Sequence, residues 1–320
     1  MSAQPLKKLK KPRKIWLDTD AGIDDAQALM LLLSAADVEI VGISCVVGNV
    51  SVDKVTKNVS RILEACGRSE LPLYIGASEN LLGTPVECDF HGEDGLGDAG
   101  TCEPSAGTVV PIPGPAAMHL VQAVNEAPQE IAVVAIGPLT NLALACRLDS
   151  NFATRVGSVF VMGGAETGKG NISITGEYNF YFDPEAAKIC LSCFSMMTLV
   201  TWECALQHEF SWQRVDEWCA KPSLRAQFMQ GIIAKWSASA QTNNEAFVPC
   251  DPLLAAVAID PTLIQESKTV HMLVELQGLH TRGQSVIDWL SSKKKPPNVK
   301  MVTRVDIERF CHMMNRSTDD

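Results

Sequence analysis

The chain has 320 residues, 46% of them hydrophobic, with a formal net charge of -10 and a pI near 5.1. Such a chain can bury a large core, but its excess of acid excludes a general nucleic-acid or membrane surface, since phosphate recognition depends on lysine and arginine. A small molecule is the partner to expect.

The basic run Lys7-Lys-Leu-Lys-Lys-Pro-Arg-Lys14 reads as part of a solvated, frayed tail spanning 1–13, ahead of one domain spanning 14–320. No charged-then-apolar signal peptide opens the chain, and no apolar run reaches the roughly 20 residues of a membrane helix, so a soluble, cytoplasmic protein is expected. The 11 cysteines are scattered without the spacing of a secreted disulfide framework and read as reduced thiols. Cys190 and Cys193 form a C-x-x-C with no second pair to complete a zinc site, and fit helix packing.

The first element carries the densest chemistry. Ile15 to Leu17 reads as a strand, Ala26 to Leu33 as a helix, and between them Asp18, Asp20, Asp24 and Asp25 fall within eight positions. Packed like charges raise one another's pKa unless a metal or hydrogen-bond donors neutralise them, and hard oxygen ligands suit Ca²⁺ or Mg²⁺. The plain alternative is that Asp24 and Asp25 merely stabilise a helix N-terminus, but a helix start needs only one or two acids. Gly22 is expected to permit the tight turn that aims Asp20 and Asp25 inward together.

Helix from Asp24 to Ala36, strand from Val38 to Val47, helix from Val52 to Cys66 and a short strand from Leu73 to Ile75 follow by periodicity. The second strand ends on Gly48-Asn49, which offers Asn49 beside the acids. This alternation predicts an α/β fold: a single domain with a mostly parallel central sheet flanked by helices, and an active site at the carboxyl ends of the strands.

From Ala77 to Pro115 there is no periodicity, and a loop of that length in a compact domain is usually a lid or a binding loop. Gly95, Gly97 and Gly100 spell G-x-G-x-x-G, but no strand precedes and no helix pattern follows, so dinucleotide binding fails its context. His91 on this loop is a candidate ligand-facing group, with a hydrogen-bonded surface histidine as the plain alternative.

The alternation resumes with a helix from Ala116 to Asn125, a strand from Ile131 to Ile136 and a turn, Gly137-Pro-Leu-Thr-Asn141, into another helix. Ser158 to Met162 is the next strand. Gly163-Gly-Ala-Glu-Thr-Gly-Lys-Gly170 imitates a phosphate-binding loop but lacks the Ser or Thr after the lysine and the helix behind it, so nucleotide triphosphate binding is rejected. Glu177 and Asn179 alternate with apolar neighbours and are expected to face one pocket. Asp183 reads as a structural N-cap with Pro184 first in the helix.

Met196 to Trp202 reads as a strand, and Ser211 to Ala240 as two helical runs broken near Lys221-Pro222. Asp251 reads on spacing as an N-cap with Pro252 behind it. The tail holds strands near Val270 to Val274, Ser285 to Trp289 and Val299 to Val305, then a helix ending near Met314.

Taken together, Leu-Asp-Thr-Asp-Ala-Gly-Ile-Asp-Asp-Ala, Val-Val-Gly-Asn, His-Gly-Glu-Asp-Gly-Leu-Gly, Gly-Pro-Leu-Thr-Asn, Met-Gly-Gly, Glu-Tyr-Asn and Asp-Pro-Glu-Ala-Ala closely resemble the inosine-uridine-preferring nucleoside hydrolases. The resemblance runs from about Lys14 to Asp260 and more weakly beyond. It implies calcium-dependent cleavage of the N-glycosidic bond of ribonucleosides to base and ribose, and a homodimer or homotetramer.

By the same resemblance Asp20, Asp25, Asp251 and the carbonyl of Ile136 are calcium ligands, which overrides the N-cap reading of Asp251, and Asp20 is the general base. Asp24, Asn49, Met162, Asn171, Glu177, Asn179 and Asp251 are implied to hold the ribose, with Tyr178 standing where the family usually has Phe. Cys250 occupies the place of a histidine that acts as general acid in better-known members, and resembles a branch for which purine nucleosides are the implied substrates. Thiols donate protons poorly at neutral pH. A purine can take its proton at N7, whereas a pyrimidine lacks that site. His91, Trp202, Trp236 and Phe247 are the candidates for stacking on the base.

Two readings from other classes stand beside this one. Asp18-Thr-Asp20 superficially matches the Asp-x-Asp of haloacid-dehalogenase-type phosphatases, with Asp18 as nucleophile, although no convincing later lysine and acidic pair accompany it. The missing histidine at Cys250 also allows a catalytically silent nucleoside-binding protein.

Overall fold

The computed structural model describes residues 11–83, 86, 89–99 and 109–320. Residues 1–10 of the basic tail, and Gly100 of the glycine-rich run, lie outside the described residues.

Among the described residues eight strands form one sheet: β1 (Arg13–Thr19), β2 (Val38–Cys45), β3 (Leu73–Ile75), β4 (Ile131–Ala135), β5 (Ser158–Met162), β6 (Met197–Val200), β7 (Ile264–Val270) and β10 (Val299–Val305), in the order β3-β2-β1-β4-β5-β6-β10-β7. All pair in parallel except β10 with β7. A separate antiparallel pair, β8 (Met272–Val274) and β9 (Ser285–Ile287), stands apart. Central strands read as near-continuous apolar runs because helices cover both faces. Ile131 to Ala135 is buried at every position.

The two buried clusters are the two faces of that sheet. One gathers Ile15, Leu17, Ile43, Val134, the helix Ile23–Ser34 and the helix Cys250–Ile259; the other gathers Trp16, Val133, Val161, Leu142 and the helix Pro184–Cys193. Alternate residues of β1 divide between them, as the two-residue repeat of a strand requires.

Strand β7 escaped the sequence reading, which found its strand only near Val270 to Val274. The intervening residues Gln265, Glu266, Ser267 and Lys268 are exposed, as suits an edge strand whose charged side chains discourage pairing with another chain. At His271 the chain leaves the main sheet, so the expected strand is really the end of β7 plus β8. Trp202 opens a short helix, Trp202–Leu206, rather than closing β6. The two runs after Ser211 are helices Trp212–Cys219 and Leu224–Thr242, with Pro222 in the break.

Cys190 is buried in its helix and Cys193 exposed, and the 9 cysteines among the described residues are free thiols.

Candidate functional site

The carboxyl ends of β1, β2, β4, β5 and β6 lie along one sheet edge, and a cavity of about 650 Å³ opens there. Its wall takes Asp20 from after β1, Asn49 from after β2, Ile136 from after β4, Met162 from the end of β5 and Trp202 from after β6. The cavity is thus placed where open parallel sheets bind ligands.

The acidic turn is held in shape by backbone and hydroxyl donors. Asp20 accepts from the Asn49 amide (2.8 Å), and Asp25 accepts from the Gly22 amide (2.8 Å) and the Thr19 hydroxyl (2.5 Å). Ala21, not Gly22, takes the left-handed backbone, at φ 39°, while Gly22 is extended at φ -81°. Gly22 is needed for space: a Cβ there would stand 2.7 Å from the Asn49 side-chain Nδ2 and 3.0 Å from the His91 ring. Gly48 has a similar duty, since its Cβ would stand 2.1 Å from Asp20 Oδ2.

Asp251 arrives on a different element. The helix Cys250–Ile259 has Pro249 as its cap, so Asp251 lies in the first turn and is not the N-cap expected from spacing. Carboxylate oxygens of Asp24, Asp25 and Asp251 approach to within 4.8 Å of one another. Burial, and then the charges of its neighbours Asp24, Asp25 and Asp20, hold Asp251 well above the usual carboxylate range. Burial and then Asp25 do the same to Asp20, while burial raises Asp24 to about 6. Asp25 is likewise raised, by burial first and by Asp24 next.

Three hard oxygen donors that close, from two elements, with Asp20 beside them, fit a divalent cation of the calcium or magnesium kind. The shifts say the same thing energetically, because groups forced upward by burial and mutual repulsion are relieved by positive charge. The helices Ile23–Ser34 and Cys250–Ile259 both begin at the cluster, and their partial positive ends supply some of that relief.

Asn179 donates to the carbonyls of Ile136 (2.8 Å) and Met162 (3.2 Å), tying together the loops after β4 and β5. Glu177 accepts from the amides of Gly164 (2.6 Å), Asn179 (3.0 Å) and Phe180 (3.2 Å). It caps a short helix, Tyr178–Phe182, where the sequence had suggested strand-like alternation, and both side chains still line the cavity. Burial pushes the Glu177 carboxyl up to about 7. Asn171 accepts from the Tyr178 amide (2.8 Å), and both residues line the cavity.

His91 also lines it. Its Nδ1 accepts from the Ile23 amide (3.1 Å), which places the ring proton on Nε2, 3.6 Å from Asp24 Oδ1. Burial lowers its pKa to about 4, so it is neutral at pH 7. Cys250 lines the cavity too, and burial drives its thiol pKa far upward.

Trp202 and Trp236 face the cavity, joined by Phe90, which meets Trp236 edge-on at 5.5 Å between ring centres. Phe247 is corrected: it is fully buried behind the wall and packs on Trp212 and Trp236. Phe90, Leu206, Glu209, Asn244, Glu245 and Val248 are wall residues that sequence reasoning missed. They sit in loops and at helix ends, where no periodic signal marks a face.

Asp18 is fully buried and does not line the cavity. It accepts from the Asn141 side-chain Nδ2 (2.8 Å) and the Ser44 hydroxyl, and Ser44 in turn accepts from Trp16 Nε1 (2.9 Å). A nucleophile must reach its substrate, so the phosphatase reading loses its central residue. Lys169 is followed by no helix until Tyr178, which agrees with the rejection of a phosphate-binding loop. Asp183 is structural, capping its helix through the Ala186 amide (2.9 Å) and also accepting from Thr140 (2.7 Å).

Comparison with known proteins gives a concordant result. The model of the family described as inosine-uridine preferring nucleoside hydrolase matches residues 15–312. A protein of Oryza sativa subsp. japonica named probable uridine nucleosidase 2 is 34% identical over 280 residues, covering 86% of this chain and 82% of its own. Among solved structures, a plant nucleoside hydrolase superposes with a TM-score of 0.89 at 30% identity, covering 97% of this chain and 100% of that one. An inosine-guanosine nucleoside hydrolase does so with a TM-score of 0.88 at 30% identity, covering 96% and 98%.

Proposed function

This chain belongs to the inosine-uridine preferring nucleoside hydrolase family, and we propose that it is a calcium-dependent ribonucleoside hydrolase that prefers purine nucleosides, inosine and guanosine, and releases base and ribose. The observation that carries the reading is the convergence of Asp20, Asp24, Asp25 and Asp251 at a cavity whose wall also carries Phe90, Trp202 and Trp236.

In this reading Asp20, Asp25, Asp251 and the Ile136 carbonyl hold the ion, and the closeness of Asp24 to the same group supports a shared duty with the sugar. A dication held there would supply Lewis-acid polarisation of a water and of the sugar hydroxyls. Asp20 accepts the water's proton; its carboxylate is fixed by the Asn49 amide and so points in one direction. Asp24, Asn49, Met162, Asn171, Glu177, Asn179 and Asp251 hold the ribose, with Tyr178 and His91 closing around it.

Breaking the C–N bond puts positive charge on the ribose ring. A cup of carboxylates and amides with fixed orientation stabilises that charge most where it is greatest, in the transition state. The base leaves toward Trp202, Trp236 and Phe90, whose faces suit a two-ring heterocycle. Cys250 lines the same cavity near Asp24, Asp251 and Glu177, but a thiol held so far above its usual range is a poor proton donor. A purine that accepts its proton at N7 from solvent needs no such donor, and this favours purines over uridine.

The same reading takes the protein to act in the cytoplasm as a homodimer or homotetramer, in salvage of purine bases. Light scattering on the purified protein would check the assembly, a monomer counting against it.

Reducing-sugar release from inosine, guanosine, adenosine and uridine tests the function. Inosine or guanosine is expected to exceed uridine by about tenfold or more in kcat/KM. Equal rates would remove the purine preference, and no release from any of the four would remove the hydrolase reading.

A further inference from the structure

Glu203 is a carboxylate that the chemistry above does not use, and it does not line the cavity. It is 8% exposed and sits in the short helix Trp202–Leu206 after β6. Its two oxygens accept from three donors on the far side of a turn: the Glu166 amide (2.7 Å), the Thr167 amide (2.7 Å) and the Thr167 hydroxyl (2.9 Å). Ion-to-amide bonds of this length are about twice as strong as neutral ones.

The turn it grips leads into a segment that lines the cavity. One residue earlier the Ala165 amide is bonded to Ser285 (3.1 Å), and one earlier again the Gly164 amide is bonded to Glu177 (2.6 Å). Four successive amides, Gly164 to Thr167, are therefore taken by side chains rather than by a strand partner or a helix. Downstream the same segment carries Asn171 and Ile172 on the cavity wall. The Gly164 carbonyl accepts from the Trp202 amide (3.0 Å), and Trp202 and Leu206, on either side of Glu203, line the cavity.

We propose that Glu203 is a positioning residue that fixes the sugar-side loop and the base-side wall to one another through the Glu166 and Thr167 amides. This rests on the hydrolase reading and adds a residue to it. A glutamine in its place keeps the shape but turns an NH₂ toward a backbone N–H, so at least one bond is lost and a donor faces a donor. An aspartate keeps the acceptor charge at a shorter reach. Misplacement of a bound substrate by about 1 Å is enough to cost up to a hundredfold in rate.

The test compares the full-length protein with Glu203→Gln, Glu203→Asp and Thr167→Val, following inosine hydrolysis, product inhibition by ribose and by hypoxanthine, and melting temperature. Glu203→Gln is expected to lose about tenfold or more in kcat/KM, with both inhibition constants rising together, because the one carboxylate ties both walls. Glu203→Asp should recover part of the loss, and Thr167→Val should show a smaller rise in both constants, about two- to threefold.

A folded Glu203→Gln protein within about twofold of the unaltered one in all three constants would overturn the proposal. A rise in the ribose constant alone, with that for hypoxanthine unmoved, would do so too. If Glu203→Gln does not fold, Thr167→Val decides, and unchanged inhibition constants there count against the proposal. Failure of the unaltered protein to hydrolyse inosine would instead strike the parent reading, and this inference with it.

Discussion

At the scale of single residues, the acids that serve the site are distinguished from those that serve the fold by what they accept. Asp20 accepts from the Asn49 amide and faces the cavity, whereas Asp18, two positions earlier in the chain, is enclosed by Asn141 and Ser44. Asp20→Asn should lower inosine turnover by about 10²- to 10⁴-fold while ribose still binds; a variant that keeps its rate would remove Asp20 as the base. Cys250→Ala should keep purine turnover within about threefold, and a loss as large as that of Asp20→Asn would make the thiol the proton donor. Gly48→Ala forces a methyl against Asp20, the nearest contact being 2.1 Å, and is expected to depress turnover much more than it lowers the melting temperature.

At the scale of elements, the cluster depends on two helices that start at the same point. The helix Ile23–Ser34 brings Asp24 and Asp25, and the helix Cys250–Ile259 brings Asp251; both contribute fully buried residues to one core cluster, among them Leu31 and Leu253. Leu253→Ala should cost about 2–5 kcal/mol through the cavity it leaves, and by loosening the helix it should weaken calcium binding measured by calorimetry. Intact calcium affinity in a strongly destabilised Leu253→Ala protein would show that the helix does not position Asp251.

Much of this layer was legible in the chain. The strand-helix alternation pointed to the parallel sheet, and the acids between Leu17 and Ala26 pointed to the edge where the cavity opens. What was not legible has physical causes. Strand β7 is charged because it is an edge, so it carries no apolar pattern. The helix Tyr178–Phe182 is short enough for its residues to pass for strand alternation. Asp251 looked like a cap because a proline follows it, and only the folded chain assigns the cap to Pro249. Glu203 has no signal at all, since its partners are backbone amides 36 and 37 positions away.

At the scale of the whole molecule, buried acids couple the site to stability. Asp18 and Glu177 are both raised to about 7 by burial. A carboxyl whose folded pKa exceeds its unfolded one binds more protons in the folded state, so its contribution is full at low pH and is lost as pH rises through the folded value. His91, lowered to about 4 by burial, is neutral in both states above pH 7 and does not oppose this. The melting temperature of the metal-free protein should therefore fall between about pH 6.5 and 8, and calcium should raise it more at the upper end. A metal-free melting temperature that climbs over this interval would contradict the buried-acid picture.

The most direct measurement follows ribose release from inosine by one preparation of the protein, first stripped of metal by a strong chelator and then titrated with calcium. Turnover should vanish on stripping and return with calcium, and an Asp251→Asn protein taken through the same steps should need far more calcium to recover. Undiminished turnover in the chelator would mean that no dication held by Asp20, Asp25 and Asp251 takes part.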